Sequence, residues 1–200
     1  MSIFFRNLIF MFRRRESFRQ SFLEYLFEFV QVLVISAAII LPIRFFLIQP
    51  FYVKGASMEP TLLDHEYLII DEISYRLRAP ERGETIVFRH LAVPREYYIK
   101  RIIGLPGERV VIKNNQIKIF NVEHHDGLVL QEPYLPKDLT TDGEIDLTLD
   151  ATHYFVMGDN REHSFDSRRF GPIEKDTIVG RAWVRGWPFD RATIFPLPSY

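Results

Sequence analysis

YYIKRIIGLPG, residues 97–107, opens on a β-branched and aromatic run, Tyr97–Ile103, and closes on the turn punctuation Gly104-Leu105-Pro106-Gly107. Strand alternation places Tyr98, Lys100 and Ile102 on one face. A lysine in a strand ordinarily points to solvent, where its amine, with a pKa of about 10.4, is protonated at neutral pH. This one shares a face with apolar groups. Burial without a counter-ion disfavours the ammonium and lowers that pKa, which would turn Lys100 into a usable base.

The same texture of short strands and turns continues outward. Tyr67–Asp71 and Thr85–Arg89 read as strands on the N-terminal side. On the C-terminal side, Arg109–Ile112 and Gln116–Phe120 flank Asn114-Asn115 and predict a hairpin. His153–Met157 and Thr177–Trp183 resume strand character. Between them, residues 121–150 are acidic, carry Pro133 and Pro136, and read as an irregular excursion from the sheet. No segment beyond residue 50 shows a long helical period and no internal repeat stands out, so this part is mainly β.

The N-terminal quarter differs. Residues 1–21 mix apolar side chains with Arg6, Arg13, Arg14, Arg15 and Arg19 and read as a basic segment lying at a membrane surface on the cytoplasmic side. Residues 22–48 form the longest apolar stretch and read as a single transmembrane anchor, with Arg44 near enough to one end to snorkel. The arginines before it, against Lys54 as the nearest base beyond Arg44, keep the N-terminus in the cytoplasm and export residues 49–200. A cleaved signal peptide is the competing reading, because Ser36-Ala37-Ala38 has suitable small residues. The apolar run continues through Ile39, Ile40 and Leu41, where a cleavable peptide turns polar. A buried core helix is the other alternative.

Composition narrows the chemistry. With 47% hydrophobic and 26% charged residues, most of the 200-residue chain should fold. A formal net charge of -1 gives no basic face for nucleic acid. The absence of cysteine excludes disulfides, thiolate nucleophiles and cysteine metal sites. His124-His125 with Asp126 reads as a solvated loop rather than a metal site, and no cofactor is expected.

Two further clusters carry potential chemistry. Ser57 sits in Gly55-Ala56-Ser57-Met58-Glu59-Pro60-Thr61, with small residues before it and a proline after it. A serine hydroxyl needs a base to become a nucleophile, and no G-x-S-x-G elbow is present. Residues 158–168, GDNREHSFDSR, are dense in polar groups directly after an apolar strand. They read either as a turn stitched by its own hydrogen bonds or as a support for an active site. A Ser-His-Asp hydrolase drawing on His65, His90, His124, His125, His153 or His163 stays open beside a Ser57–Lys100 pair.

GASMEPT, YIKRIIGLPGE and GDNREHSFDSR, in that order after an N-terminal apolar segment, resemble the signature boxes of bacterial type I signal peptidases. The closing GRAWVRGWPFDR resembles that family's last segment, and the likeness is weakest between residues 121 and 150. The resemblance implies a membrane-bound serine endopeptidase that removes signal peptides from exported preproteins, cutting after small-x-small residues. It implies a catalytic domain of coiled antiparallel β-sheets on the outer face, tethered by one N-terminal helix, with signal peptides and the lipid bilayer as partners. Ser57 matches the nucleophile and Lys100 the general base. Ser164 matches a hydroxyl that hydrogen-bonds the lysine amine, Asp166 and Arg168 a supporting salt bridge, and Asp159 belongs to the same box. Phe51, Val53 and Ile99 match positions lining pockets for small side chains. Gly55 departs from members that carry an oxyanion-binding serine two residues before the nucleophile, which leaves the second oxyanion donor open. Self-cleaving repressor domains share Ser–Lys chemistry but lack an anchor, and a tethered binding module would not need to keep both Ser57 and Lys100.

Overall fold

The computed structural model describes residues 22–41, 48–90 and 96–196. The chain separates into two compact units, Met1–Phe45 and Phe46–Tyr200. The first contains helix α1, Phe22–Leu41, long and apolar enough to cross a membrane. Its 20 residues span about 30 Å at 1.5 Å per residue, the thickness of a hydrocarbon core. The large apolar side chains of α1 are exposed around its whole circumference. Glu24, Glu28 and Gln31 fall on one face of its N-terminal half, and the rest of the helix surface is apolar.

Of the apolar anchor expected over residues 22–48, α1 covers residues 22–41, and residues 42–47 lie outside the described residues. Ile48 belongs to the first strand. The basic segment 1–21 and Arg44 lie outside the described residues.

The second unit is mainly β, and every strand pairing in its described part is antiparallel. Its strands are β1 Ile48–Tyr52, β2 Tyr67–Asp71, β3 Thr85–Arg89, β4 Tyr97–Gly104, β5 Arg109–Lys113, β6 Gln116–Phe120, β7 Leu128–Val129, β8 Ile145–Thr148, β9 His153–Met157, β10 Ile173–Glu174, β11 Ile178–Trp187 and β12 Thr193–Ile194. Two single-turn helices, α2 Ser74–Leu77 and α3 Ser167–Phe170, sit in the connections. The larger sheet runs β1-β2-β11-β3-β4-β9-β10, with β12 added to β11, and the smaller runs β7-β6-β5-β8.

Alternation explains which residues enter the core. Leu68 and Ile70 of β2, Val110 and Ile112 of β5, and Ile117 and Ile119 of β6 are buried, while their neighbours are not. Asn114 and Asn115 both take positive φ, 52° and 58°, and close the β5–β6 hairpin with Lys113 opposite Gln116. That is the two-residue turn whose twist suits a hairpin, and asparagine tolerates it.

The stretch 121–150 is not wholly irregular. It contributes β7 and β8, which flank the β5–β6 hairpin on its two sides. These strands are short, and Ile145-Asp146-Leu147-Thr148 alternates half-buried with exposed residues, so its apolar signal is thin in a segment rich in acids.

Candidate active site

Ser57 stands on a turn with a buried base. After β1 the chain stays paired through Val53, whose N–H donates to the Glu66 carbonyl at 2.8 Å and whose carbonyl accepts from the His65 N–H at 3.0 Å. It then enters a single turn in which the Leu62 N–H donates to the Met58 carbonyl at 2.9 Å. Met58 and Leu62 are sealed into a cluster with Val53, Leu68, Ile70, Val87 and Ala182. These side chains anchor the turn from below and leave Ser57 half-buried at its surface. Arg185 of β11 holds the far end of the loop, donating to the Thr61 carbonyl at 2.9 Å and pairing with Glu66.

Lys100 enters from β4, opposite Ile86 in β3, and is 4% exposed. Its Nζ donates to Ser57 Oγ at 2.8 Å and to the Ile99 carbonyl at 2.9 Å. Burial pushes the amine from 10.5 down to about 8, against the opposing pull of Asp166 and Asp159. Both acids are engaged elsewhere. Asp166 is clamped by Arg168 through two bonds of 2.9 Å, and Asp159 by Arg101 at 2.8 and 2.6 Å. Burial raises Asp166, but the Arg168 guanidinium, the Gly158 N–H and the nearby Ser164 hydroxyl outweigh it and hold the carboxyl below its ordinary range. A lysine in this setting is desolvated without a free counter-ion.

The loop 158–168 is drawn against Ser57 at Gly158. A Cβ built there would lie 2.2 Å from Ser164 Oγ and 2.4 Å from the Ser57 carbonyl oxygen, so only glycine lets the three segments meet. Ser164 Oγ is buried beside Gly158 but makes no hydrogen bond at ordinary geometry among the described residues. The expected bond from Ser164 to the lysine amine is therefore not formed in this structure. The Lys100 amine is turned to Ser57 and to the Ile99 carbonyl instead.

Of the remaining expected residues, Phe51, Val53, Gly55 and Ile99 line a cleft of about 730 Å³ together with Ser57 and Lys100. Phe51 and Tyr97 meet edge to face across it, with ring centroids 5.4 Å apart. None of the six histidines hydrogen-bonds Ser57. His163 lies at the cleft rim with its Nδ1 3.3 Å from Asn160 Oδ1. His65 touches Asp64 and Tyr52, and His153 touches Asp150 and Thr152. No histidine triad at Ser57 is assembled. Among the described residues there is also no group of three or more His, Cys, Asp or Glu able to hold a metal.

Several contributors carried no sequence signal. Arg161 is fully buried and pairs with Glu132, while also donating to Thr141 Oγ1 at 2.8 Å and the Gly158 carbonyl at 3.0 Å. Arg101 stacks over Tyr134 at 3.9 Å. Glu132, Tyr134 and Thr141 all come from the stretch read as an excursion, so that stretch covers and braces loop 158–168. Only the apolar alternation of β4 hinted that a charged residue there would be buried.

A sequence profile described as "Signal peptidase, peptidase S26" matches residues 26–187. The signal peptidase IB of Staphylococcus aureus is 34% identical over 175 residues, covering 82% of this chain and 91% of its own length. A probable signal peptidase I-2 of Synechocystis sp. is 36% identical over 170 residues, covering 82% of this chain and 74% of its own. A crystal structure of a signal peptidase I from Enterococcus faecalis V583 is 30% identical, covers 52% of this chain and 97% of its own, and has a TM-score of 0.42.

Proposed function

The chain belongs to the signal peptidase family, peptidase S26, and from that membership we propose that it cleaves signal peptides with Ser57 as nucleophile and Lys100 as general base. The observation that carries the dyad is the 2.8 Å contact between Lys100 Nζ and Ser57 Oγ, made by an amine that burial has brought to about 8. On losing its proton the amine becomes the acceptor of the Ser57 O–H. Ser57 Oγ then attacks the scissile carbonyl while its proton passes to Lys100. The lysine returns that proton to the leaving amine, and the acyl chain stays on Ser57 as an ester. A water deprotonated by Lys100 attacks the ester, and the proton restores the Ser57 hydroxyl as the acid departs.

The substrate reading follows from the cleft. β4 pairs with β9 only from Arg101 onward, so Tyr97–Lys100 presents an edge beside the β1 extension. An extended peptide can add to such an edge through its main chain, with pockets selecting alternate side chains. Phe51, Val53 and Ile99 shape those pockets for small residues. Helix α1 would hold the catalytic unit at the outer face of the membrane, where a preprotein's cleavage site emerges.

Replacement of each dyad member tests this. Ser57→Ala and Lys100→Ala should abolish cleavage of a preprotein in detergent while preserving the fold. Lys100→Arg should fail as well, since guanidinium keeps its proton. Near wild-type turnover by Lys100→Arg would refute the assignment, as would His163→Ala proving as damaging as Ser57→Ala.

A further inference from the structure

Asn160 grips the nucleophile segment twice. Its backbone N–H donates to the Ser57 carbonyl at 3.1 Å, and its side-chain Nδ2 donates to the Ala56 carbonyl at 3.0 Å. A carbonyl only accepts, so the amide nitrogen is the atom that must face it. The other amide atom, Oδ1, is turned to His163 Nδ1. The Ala56 carbonyl also takes the Glu59 N–H at 3.1 Å, which closes the turn after Ser57. On the opposite side, Asp64 Oδ1 accepts the Gly55 N–H at 2.8 Å and holds Gly55 at φ 93°.

These contacts matter because a peptide unit is rigid. The Ala56 carbonyl and the Ser57 N–H belong to one plane, and that bond is trans: among the described residues the cis bonds are Glu59-Pro60 and Trp187-Pro188. In a trans unit the two groups point in opposite directions, so a donor fixed on the Ala56 carbonyl also fixes the direction of the Ser57 N–H. That N–H donates to no group among the described residues. Gly55 brings no side-chain hydroxyl, so the direction of this one backbone donor carries more of the oxyanion's stabilisation.

We propose that Asn160 is a positioning residue of the cleavage reaction: it sets the Ala56–Ser57 peptide plane so that the Ser57 N–H meets the oxyanion. The proposal rests on Ser57 being the nucleophile. Charge appears on the substrate oxygen only as Ser57 attacks, so a misaimed donor weakens the transition state and leaves ground-state binding intact.

The test uses the full chain in detergent micelles, with Asn160→Ala and the isosteric Asn160→Asp, which presents oxygen to the Ala56 carbonyl. Both should lower kcat at least about 10-fold, short of the roughly 10²–10³-fold seen when an oxyanion donor is removed outright. KM, the thermal midpoint and the pH inflection near 8 should stay at wild-type values. A substrate-derived peptide aldehyde, to which Ser57 Oγ adds to give a tetrahedral adduct, should lose affinity by the same factor as kcat/KM. An uncleavable peptide with proline after the scissile position should bind unchanged. Wild-type kcat in Asn160→Asp overturns the proposal. So does parallel weakening of the aldehyde and the uncleavable peptide, or a kcat loss matched by a fall in thermal midpoint. Activity in Ser57→Ala, run alongside, would instead remove the nucleophile assignment on which the proposal stands.

Discussion

Replacing Lys100 by methionine should make the protein inactive and more stable at neutral pH. The amine is 4% exposed and is lowered from 10.5 to about 8 by burial. Each pKa unit corresponds to about 1.4 kcal/mol, so keeping this ammonium protonated in the folded state costs about 3 kcal/mol at pH 7. Methionine removes that cost but leaves Ser57 Oγ and the Ile99 carbonyl without a donor, at about 1 kcal/mol each. The net gain is then about 1–2 kcal/mol. The sign of the pH dependence is distinctive. The folded-state pKa lies below the unfolded one, so the penalty is full below about 8 and is relieved as pH rises toward 10.5, where the unfolded chain holds its proton longer. Wild type should gain up to about 1.4 kcal/mol per pH unit across that window relative to Lys100→Met, closing the gap and then reversing it. Urea unfolding of the full chain in micelles, followed by the fluorescence of Trp183 and Trp187, measures both curves. Parallel curves would refute the reasoning, because they would mean that Lys100 titrates alike in both states. The wild-type kcat/KM should meanwhile rise with unit slope and level off above about 8.

Removing Arg168, as in Arg168→Met, frees the buried Asp166 carboxylate to hold a proton on Lys100. The inflection of the kcat/KM profile should move above 8, and unfolding free energy should fall by about 3–5 kcal/mol; an unmoved inflection would separate Asp166 from the amine. Changing Ala to Leu at the residue before the cut should reduce kcat/KM by at least about 10-fold, given the small pockets proposed around Val53 and Ile99, and equal values would contradict those pockets. For topology, protease added to intact spheroplasts should remove an epitope at Tyr200 and spare one at Met1, with the reverse pattern refuting an exported catalytic unit.

The strands bearing the site were legible because their signal is local. Tyr97–Ile103 alternates and ends on Gly-Leu-Pro-Gly, and the structure extends it by only one residue, to Gly104. Asn114-Asn115 announced its hairpin through the one property that matters there, tolerance of positive φ. β1, by contrast, was hidden. Ile48-Gln49-Pro50-Phe51-Tyr52 continues an apolar stretch and contains a proline, and it is admissible as a strand only because β1 lies at the sheet edge. The pairing of Arg161 with Glu132 was equally illegible. It joins two loops 29 positions apart, and nothing local distinguishes a buried arginine from a solvated one. Ser164 shows the limit from the other direction: it is buried beside Gly158 in the loop that approaches Ser57, but the bond expected of its hydroxyl is not made.

The concentration of buried ion pairs around the buried Lys100 amine has a physical logic, given the base role proposed for it. A lysine stays a base only if it is dry and no carboxylate is free to pair with it, yet the loop that approaches Ser57 must be held tightly. Hydrophobic packing alone holds a loop of this composition poorly, because GDNREHSFDSR offers Phe165 as its single large apolar side chain, and that ring is half exposed. Bidentate arginines resolve the conflict. Arg101, Arg161 and Arg168 each take one acid, two of them take carbonyls of the same loop, and the carboxylates nearest Lys100 are spoken for by cations that do not deprotonate. Buried pairs of this kind contribute little net stability, since desolvation offsets most of their attraction. What they fix here is geometry: they tie down the loop whose Asn160 bonds the Ala56 and Ser57 carbonyls, and they occupy Asp159 and Asp166, the acids that pull on the Lys100 amine.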